Sequence, residues 1–437
     1  MLPLMIGVRE VEPTPLQVKK DILKTITTRS LPITEISEVQ EIDEVIDAIL
    51  SGETVLFLDG YASAIKLSSR GWPNRGIEES SSETAYRGPR DAFNETLKFN
   101  ISLIRRRIKD PKLKVKMHMV GRRSKTDVAI MYIEDIANDM FIDEVNKRLD
   151  NIDVDAIIES SILEEFIQDN PYSPFPQIEN TERPDAAASS IYEGRIVIVV
   201  DNTPSVLIIP ATIGTLMQST EDYYSRWPIA TIVRVIRYIA AFVAVAAPAL
   251  YISVTSFDPG VLPTRLAFYV SGTRVNVPFP SVIEALLMEI TIEFLREAGS
   301  RISGPIGTTI GIVGGLIIGQ AAVEAGIVSP LMIIIVAITA IATFTLPSYE
   351  FAAALRFYRF VLILFAAVLG LYGVMLGFII LMTHVVKLNS FGIPFSSPYT
   401  GLGLTSGDIK DTLIRVPIRN LKYRPKFTLP KNRKRMK

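Results

Sequence analysis

The chain has 437 residues, with 46 Lys plus Arg balanced by 46 Asp plus Glu, two histidines and no cysteine. The absence of cysteine excludes a disulfide framework, a thiolate metal site and a Cys nucleophile. The zero net charge hides an acidic front and a basic back, since residues 415–437 carry ten Lys or Arg and no acid. The positive mean hydropathy is likewise uneven: soluble-type sequence runs to about residue 228, and long apolar runs fill 229–386. The opening MLPLMIGVREVEPTP is too short and too soon interrupted for a secretory signal, so the front half is expected to stay in the cytoplasm.

Residues 1–34 form an N-terminal segment, and a cytoplasmic α/β (or α+β) domain is expected over 35–225. Two segments within it resemble each other, SGETVLFLDGYASAIKL (Ser51–Leu67) and EGRIVIVVDNTPSVLII (Glu193–Ile209). Gly52 matches Gly194, Val55 matches Val197 and Asp59 matches Asp201, and each segment reads strand, Asp-Gly or Asp-Asn turn, strand. Two similar hairpins are expected to share one sheet. Between them the pattern gives a helix around Asp91–Ile108, a strand at Asp127–Ile133 and a helix at Ile142–Leu149. SPFPQIENTERPD (Ser173–Asp185) reads as an ordered Pro-rich loop.

The domain shows no catalytic constellation and no Walker loop, and GLGLTSG (Gly401–Gly407) follows no strand. His118 and His384 lie in different regions, so neither a metal site nor a cofactor is expected. LIRRRIKDPKLKVK (Leu103–Lys116) is basic, but the acidic balance of the domain argues against nucleic acid as a partner. Ion pairing within the fold or between subunits is the better use of those arginines.

An all-α polytopic membrane domain is expected over 226–390. Spanning helices need about 20 mostly apolar residues. Ile229–Val254, Ile327–Leu346 and Phe360–Val386 qualify plainly, and Ile302–Ala325 is a glycine-rich fourth. Its glycines Gly307, Gly311, Gly315 and Gly319 repeat every four residues on one face, which in lipid allows a second helix to approach closely. Close packing within one subunit or between identical subunits fits equally. Glu324 then lies at a boundary, next to a tight turn before Ser329-Pro330, with Gln320 one turn earlier on the same face.

PSVIEALLMEITIEFLREAGSR (Pro280–Arg301) contains an amphipathic helix, residues 281–298, with Glu289, Glu293, Arg296 and Ser300 as a thin polar stripe. The stripe faces an interface plane, a water-filled path or neighbouring spans. Orientation follows from the basic tail, residues 391–437, which is expected on the cytoplasmic side. Arg234 and Arg237 are expected to snorkel toward that side. Two cytoplasmic ends and four spans are consistent, although Arg356 and Arg359 then fall on the wrong side.

SRGWPNRGIEE (Ser69–Glu79), RGPRDAFNETLKFNISLIRRRI (Arg87–Ile108), EGRIVIVVDNTPSVLIIPA (Glu193–Ala211) and EDYYSRWPIAT (Glu221–Thr231) resemble the A subunits of bacterial spore germinant receptors. So do VPFPSVIEALLMEITIEFLREAGSR (Val277–Arg301) and IGQAAVEAGIVSP (Ile318–Pro330). This is the GerA family, which includes the relative SpoVAF. The chain looks short at the front, where family members usually carry a further N-terminal subdomain. The resemblance implies a non-enzymatic, multi-pass protein of the inner spore membrane. It implies assembly as a homo-oligomeric ring, a pentamer, with a transporter-like B subunit and a lipoprotein C subunit, in contact with membrane lipids. In such a ring, Glu289, Glu293, Gln320 and Glu324 are the candidate residues of an ion path, and the four glycines the candidate packing face. The expected function is a ligand-gated channel that releases cations in response to nutrient germinants. The alternatives are a carrier for small anions such as dipicolinate and a membrane scaffold that recruits partners.

Overall fold

The computed structural model describes residues 36–57, 62–67, 76, 78–80, 83, 86–301, 315, 318–400 and 411–436. The described residues up to 67 belong to one compact unit and those from 76 onward to another. In the first unit, β1 (Ile36–Val39), α1 (Ile42–Leu50), β2 (Thr54–Leu56) and β3 (Ala64–Leu67) make a three-stranded antiparallel sheet, in the order β1-β3-β2, carrying one helix. Val39, Val45 and Ala64 form its small core. The Asp59 turn lies outside the described residues.

The second unit begins with a five-stranded antiparallel sheet in the order β4-β5-β7-β8-β6. Its strands are β4 (Leu113–Val120), β5 (Thr126–Ile133), β6 (Glu179–Thr181), β7 (Ile196–Val200) and β8 (Val206–Ile209). β7, IVIVV, is buried at every position, and its β-branched side chains pack on both faces of the pleat. Helices α2 (Leu97–Arg107) and α5 (Pro184–Glu193) cover one face, and α3 (Asp139–Asp150) and α4 (Ser160–Ile167) cover the other. α5 starts on Pro184 and stops at Gly194, whose φ of 94° suits a residue without Cβ.

The two similar hairpins both form, but in different sheets of different units, which corrects the expectation that they share one. Local sequence dictates a hairpin, whereas sheet membership depends on which edges the rest of the chain leaves open. The 173–185 loop is ordered: Phe175 and Gln177 are buried and residues 179–181 pair as β6. Arg107 pairs with Asp91 at 2.6 Å within the fold.

Short helices α6 (Ile213–Leu216) and α7 (Glu221–Tyr224) lead into α8 (Trp227–Ser256), α9 (Thr264–Arg274), α10 (Ser281–Arg301), α11 (Pro330–Phe344) and α12 (Tyr349–Lys387). α12 is not one rod. Gly370 takes φ 57° and ψ −138°, a conformation that breaks the helix into arms 349–369 and 371–387. The arms lie side by side: Tyr358 and His384 have ring centroids 6.1 Å apart, and a Cβ on Gly377 would run into Leu362. In a straight helix, residues 358 and 384 would be about 39 Å apart at 1.5 Å per residue. The single span expected at Phe360–Val386 is therefore the larger part of a helical hairpin. Hydropathy does not register such a turn, because Gly370 is apolar and the turn costs the pattern nothing.

Contacts at the helix ends order the bundle. Ser256 and Ser281 hydroxyls meet 2.5 Å apart, and Phe257, which caps α8, packs against Gly370. Ser329, the N-cap of α11, donates its N–H to Glu284 of α10 at 2.9 Å. These contacts mark the end remote from the sheet. At the near end, Phe344–Glu350 share a cavity of about 590 Å³ with Glu179, Arg183 and Arg237. Phe175 sits among Phe351, Tyr358, His384 and Phe395 there, so one core joins the sheet domain to the α12 hairpin. α8 and the first arm of α12 thus run outward, while α10, α11 and the second arm run back.

The basic tail is not a free extension. Phe391, Ile393 and Phe427 enter the core on the α3/α4 side of the sheet. Thr428 donates to the Glu193 carbonyl at 2.8 Å, Asn138 donates to the Leu429 carbonyl, and Lys431 pairs with Asp139 at 2.6 Å. The α/β domain is completed by chain that follows the helices.

Candidate functional site

Charge buried inside an apolar bundle costs several kcal/mol unless it is paired, so such charges are where function is sought first. Of the four acids on α10, Glu297 is exposed and pairs with Arg301, and the other three face into the bundle. Glu284, fully buried, takes Arg274 at 3.1 Å as well as the Ser329 N–H, and the Ser329 hydroxyl meets Tyr251 at 3.1 Å. Glu289, also fully buried, pairs with Arg359 of α12 at 2.5 Å, and Arg359 further donates to Thr343 of α11 at 3.2 Å. Glu293, one turn on, contacts Arg296 and pairs with Arg356 at 3.6 Å. Acids four apart on α10 thus face arginines three apart on α12, and the two pairs stack along the helix crossing. Glu289 Oε1 and Arg359 Nε remain buried without a hydrogen-bond partner among the described residues.

The expected ion-path residues therefore separate into two places. Glu289 and Glu293 turn into the subunit, where Arg359 and Arg356 neutralise them. Gln320 and Glu324 lie on the exposed side of the helical residues 318–324, where the Gln320 amide donates to Glu324 Oε1 at 2.9 Å. No cation pairs with Glu324 among the described residues. Of the glycine ladder, Gly307 and Gly311 lie outside the described residues. Gly315 is exposed, with nothing within 4 Å of a built Cβ; Gly319 is buried, its Cβ position 3.7 Å from Ile333 of α11.

A second cluster clamps the root of α8. Arg234, 0% exposed, donates to Asp222 of α7 at 2.9 Å and to the backbone carbonyl of Asp411 in the tail. Arg237 reaches the same Asp222 oxygen at 2.8 Å. The Tyr223 hydroxyl donates to Asp411 at 2.8 Å, and Arg415 lies over the Tyr223 ring. Burial raises the Asp411 pKa above its ordinary value against the opposing pull of Arg234. Arg234 and Arg237 therefore do not snorkel to a headgroup layer: their partners come from the domain and from the tail. Asp411 lies about 180 positions further along the chain, so no local pattern could have announced it. Arg359 and Arg356 did carry a signal, since two arginines in an apolar run require acids at matching depth.

The family profile described as "Bacillus/Clostridium GerA spore germination protein" matches residues 7–427. Spore germination protein GerLA of Bacillus cereus is 42% identical over 425 residues, 97% of this chain and 86% of that protein. Spore germination protein A1 of Bacillus subtilis is 45% identical over 382 residues, 87% and 79% of the two chains. Stage V sporulation protein AF of the same organism is 35% identical over 419 residues, 95% and 83%. The crystal structure of the N-terminal domain of the A subunit of the Bacillus megaterium spore germinant receptor GerK3 aligns with 28% of this chain and 97% of its own, at 47% identity and a TM-score of 0.24.

Proposed function

The chain belongs to the Bacillus/Clostridium GerA spore germination protein family, and on that premise we propose that it is the membrane subunit of a germination receptor complex. It assembles as a homo-oligomeric, ligand-gated channel that releases cations when nutrient germinants are sensed, with B and C subunits as partners. It carries no catalytic step.

The helix order supports a multi-pass reading. α8 is 30 residues long, and α8 and α12 both carry strongly apolar stretches. Ile229, Ile232, Ile236, Ile239 and Phe242 face outward along α8, as do Leu364, Val368, Ile379 and Met382 along α12. Counting the two arms of α12, the crossing α10 and the expected span 302–325, the chain makes six crossings rather than four. Six is again even, so the α/β domain and the tail share the cytoplasmic side of the spore membrane. Arg356 and Arg359 then fall near that side, on the inner half of the first α12 arm, which removes the conflict with the positive-inside rule.

The observation that supports the channel is how charge is distributed. Glu284, Glu289 and Glu293 each have a cation within the subunit, whereas among the described residues Glu324 has only the Gln320 amide and faces outward. Repeated around a ring, an exposed carboxylate at the outer mouth concentrates cations there. The test is flux from potassium-loaded vesicles containing the purified complex, with its mass measured in parallel. Glu324→Gln is expected to lower cation flux and leave the mass unchanged. A monomeric mass, or equal flux, would overturn the reading.

A further inference from the structure

The tail segment after Asp411 runs against the root of α8. Asp411 meets Arg234, and four residues later the Arg415 carbonyl accepts from Thr231 Oγ1 at 3.3 Å. Tail and helix therefore run antiparallel past Arg234 and Thr231, within the first two turns of α8, which span about 10 Å of helix axis from Trp227 to Arg234. Along this stretch apolar side chains point outward from both. Trp227 is 46% exposed, Ile229 57% and Ile232 61% on the helix, and Leu413, Ile414 and Ile418 are 39–49% exposed on the tail. The exposed charges beside them, Arg226, Arg419 and Lys422, are all positive. Asp411, the nearby tail acid among the described residues, is turned inward onto Arg234 and Tyr223.

We propose that Leu413–Lys422 is an interfacial anchor that lies in the headgroup layer of an anionic bilayer beside the root of α8. The inference rests on the membrane reading above. Three observations select a bilayer as the occupant. The patch is continuous with the outward apolar face of α8, its depth matches the 5–10 Å to which interfacial segments bury, and its positive charge, unpaired among the described residues, complements anionic headgroups. Trp227 sits where aromatic side chains of spanning helices concentrate. The anchor holds Asp411 at a set depth, and with it the Arg234 clamp between tail, α7 and α8.

The chain has no cysteine, so single positions can carry an environment-sensitive fluorophore. Ile418→Cys and Ile414→Cys test the anchor, Ile236→Cys on α8 tests the membrane reading, and Ser102→Cys on α2 is the aqueous reference. The full-length protein is placed in phosphatidylcholine vesicles with and without phosphatidylglycerol, with brominated acyl chains as quencher. Labels at 414, 418 and 236 are expected to shift to the blue and lose emission in brominated vesicles, and the label at 102 to do neither. Arg419→Gln with Lys422→Gln should abolish the extra loss that phosphatidylglycerol brings at 418. Quenching at 236 but not at 414 and 418 overturns the anchor alone. In that case, protection from aqueous iodide would assign the face to another protein surface, and iodide access would assign it to water. Loss of quenching at 236 overturns the membrane reading and the anchor with it.

Discussion

Removing Arg359 should be the most damaging single change in the bundle. Its side chain is 3% exposed and its partner Glu289 is 0% exposed, at 2.5 Å. Arg359→Met removes the cation and leaves a fully buried carboxylate, with Arg356, the partner of Glu293, one turn away. Breaking a buried pair from one side costs about 3–5 kcal/mol, whereas replacing both members with apolar residues of similar volume is close to neutral. Each kcal/mol moves Tm by roughly 2–4 °C in a cooperative unit of 150–250 residues, so the single variant should lose roughly 6–20 °C. Glu289→Met combined with Arg359→Met should regain most of it. The assay is thermal unfolding of the detergent-solubilised protein, read as the fraction surviving in its oligomeric peak, with exposed Leu364→Met as control. A single variant no worse than the control, or a double variant as poor as the single, would refute the pairing and the subunit-internal placement of Glu289.

Three further outcomes follow from the fold. Val368, beside the Gly370 turn and 74% exposed, should react as Val368→Cys with a membrane-impermeant maleimide from the side opposite the tail; protection there would restore a continuous helix. Gly370→Ala should destabilise by about 1–3 kcal/mol from its backbone angles, with a further loss because the new Cβ would stand 2.8 Å from Phe257 Cγ; Phe257→Ala should recover only that second part in the same thermal assay. In the sheet domain, burial and the neighbouring carboxylates Glu350 and Glu159 push the Glu164 pKa up to about 8. The folded state then binds the extra proton, so this stabilisation is full below about pH 4.5 and is lost as pH rises through 8. Glu164→Gln should flatten that decline in a pH series of unfolding midpoints. Glu159 has the opposite sign: burial works to raise its pKa, but hydrogen bonds from Ser160, Ser161 and Thr203 hold it down to about 2, and its contribution is lost on acidification.

Much of this architecture was legible in the residues themselves. Continuous β-branched runs either side of an Asp-Asn turn marked the β7–β8 hairpin, and Ser329-Pro330 marked the start of α11, because these signals act within a few residues of one another. The motifs around Arg87–Ile108 and Ile318–Pro330 carry the family resemblance by sequence alone. Three things needed the tertiary structure. Gly370 folds α12 back on itself, which hydropathy cannot register because both arms and the turn are apolar. Glu289 and Glu293 form a polar stripe whose facing α10 alone leaves open, and only packing against α12 brings Arg359 and Arg356 opposite them. Arg234 looks like a snorkelling residue until the tail returns to place Asp411 beside it. Periodicity along one segment says which side chains share a face, but the partner that neutralises a buried charge is chosen by how distant segments pack, and that information is not local.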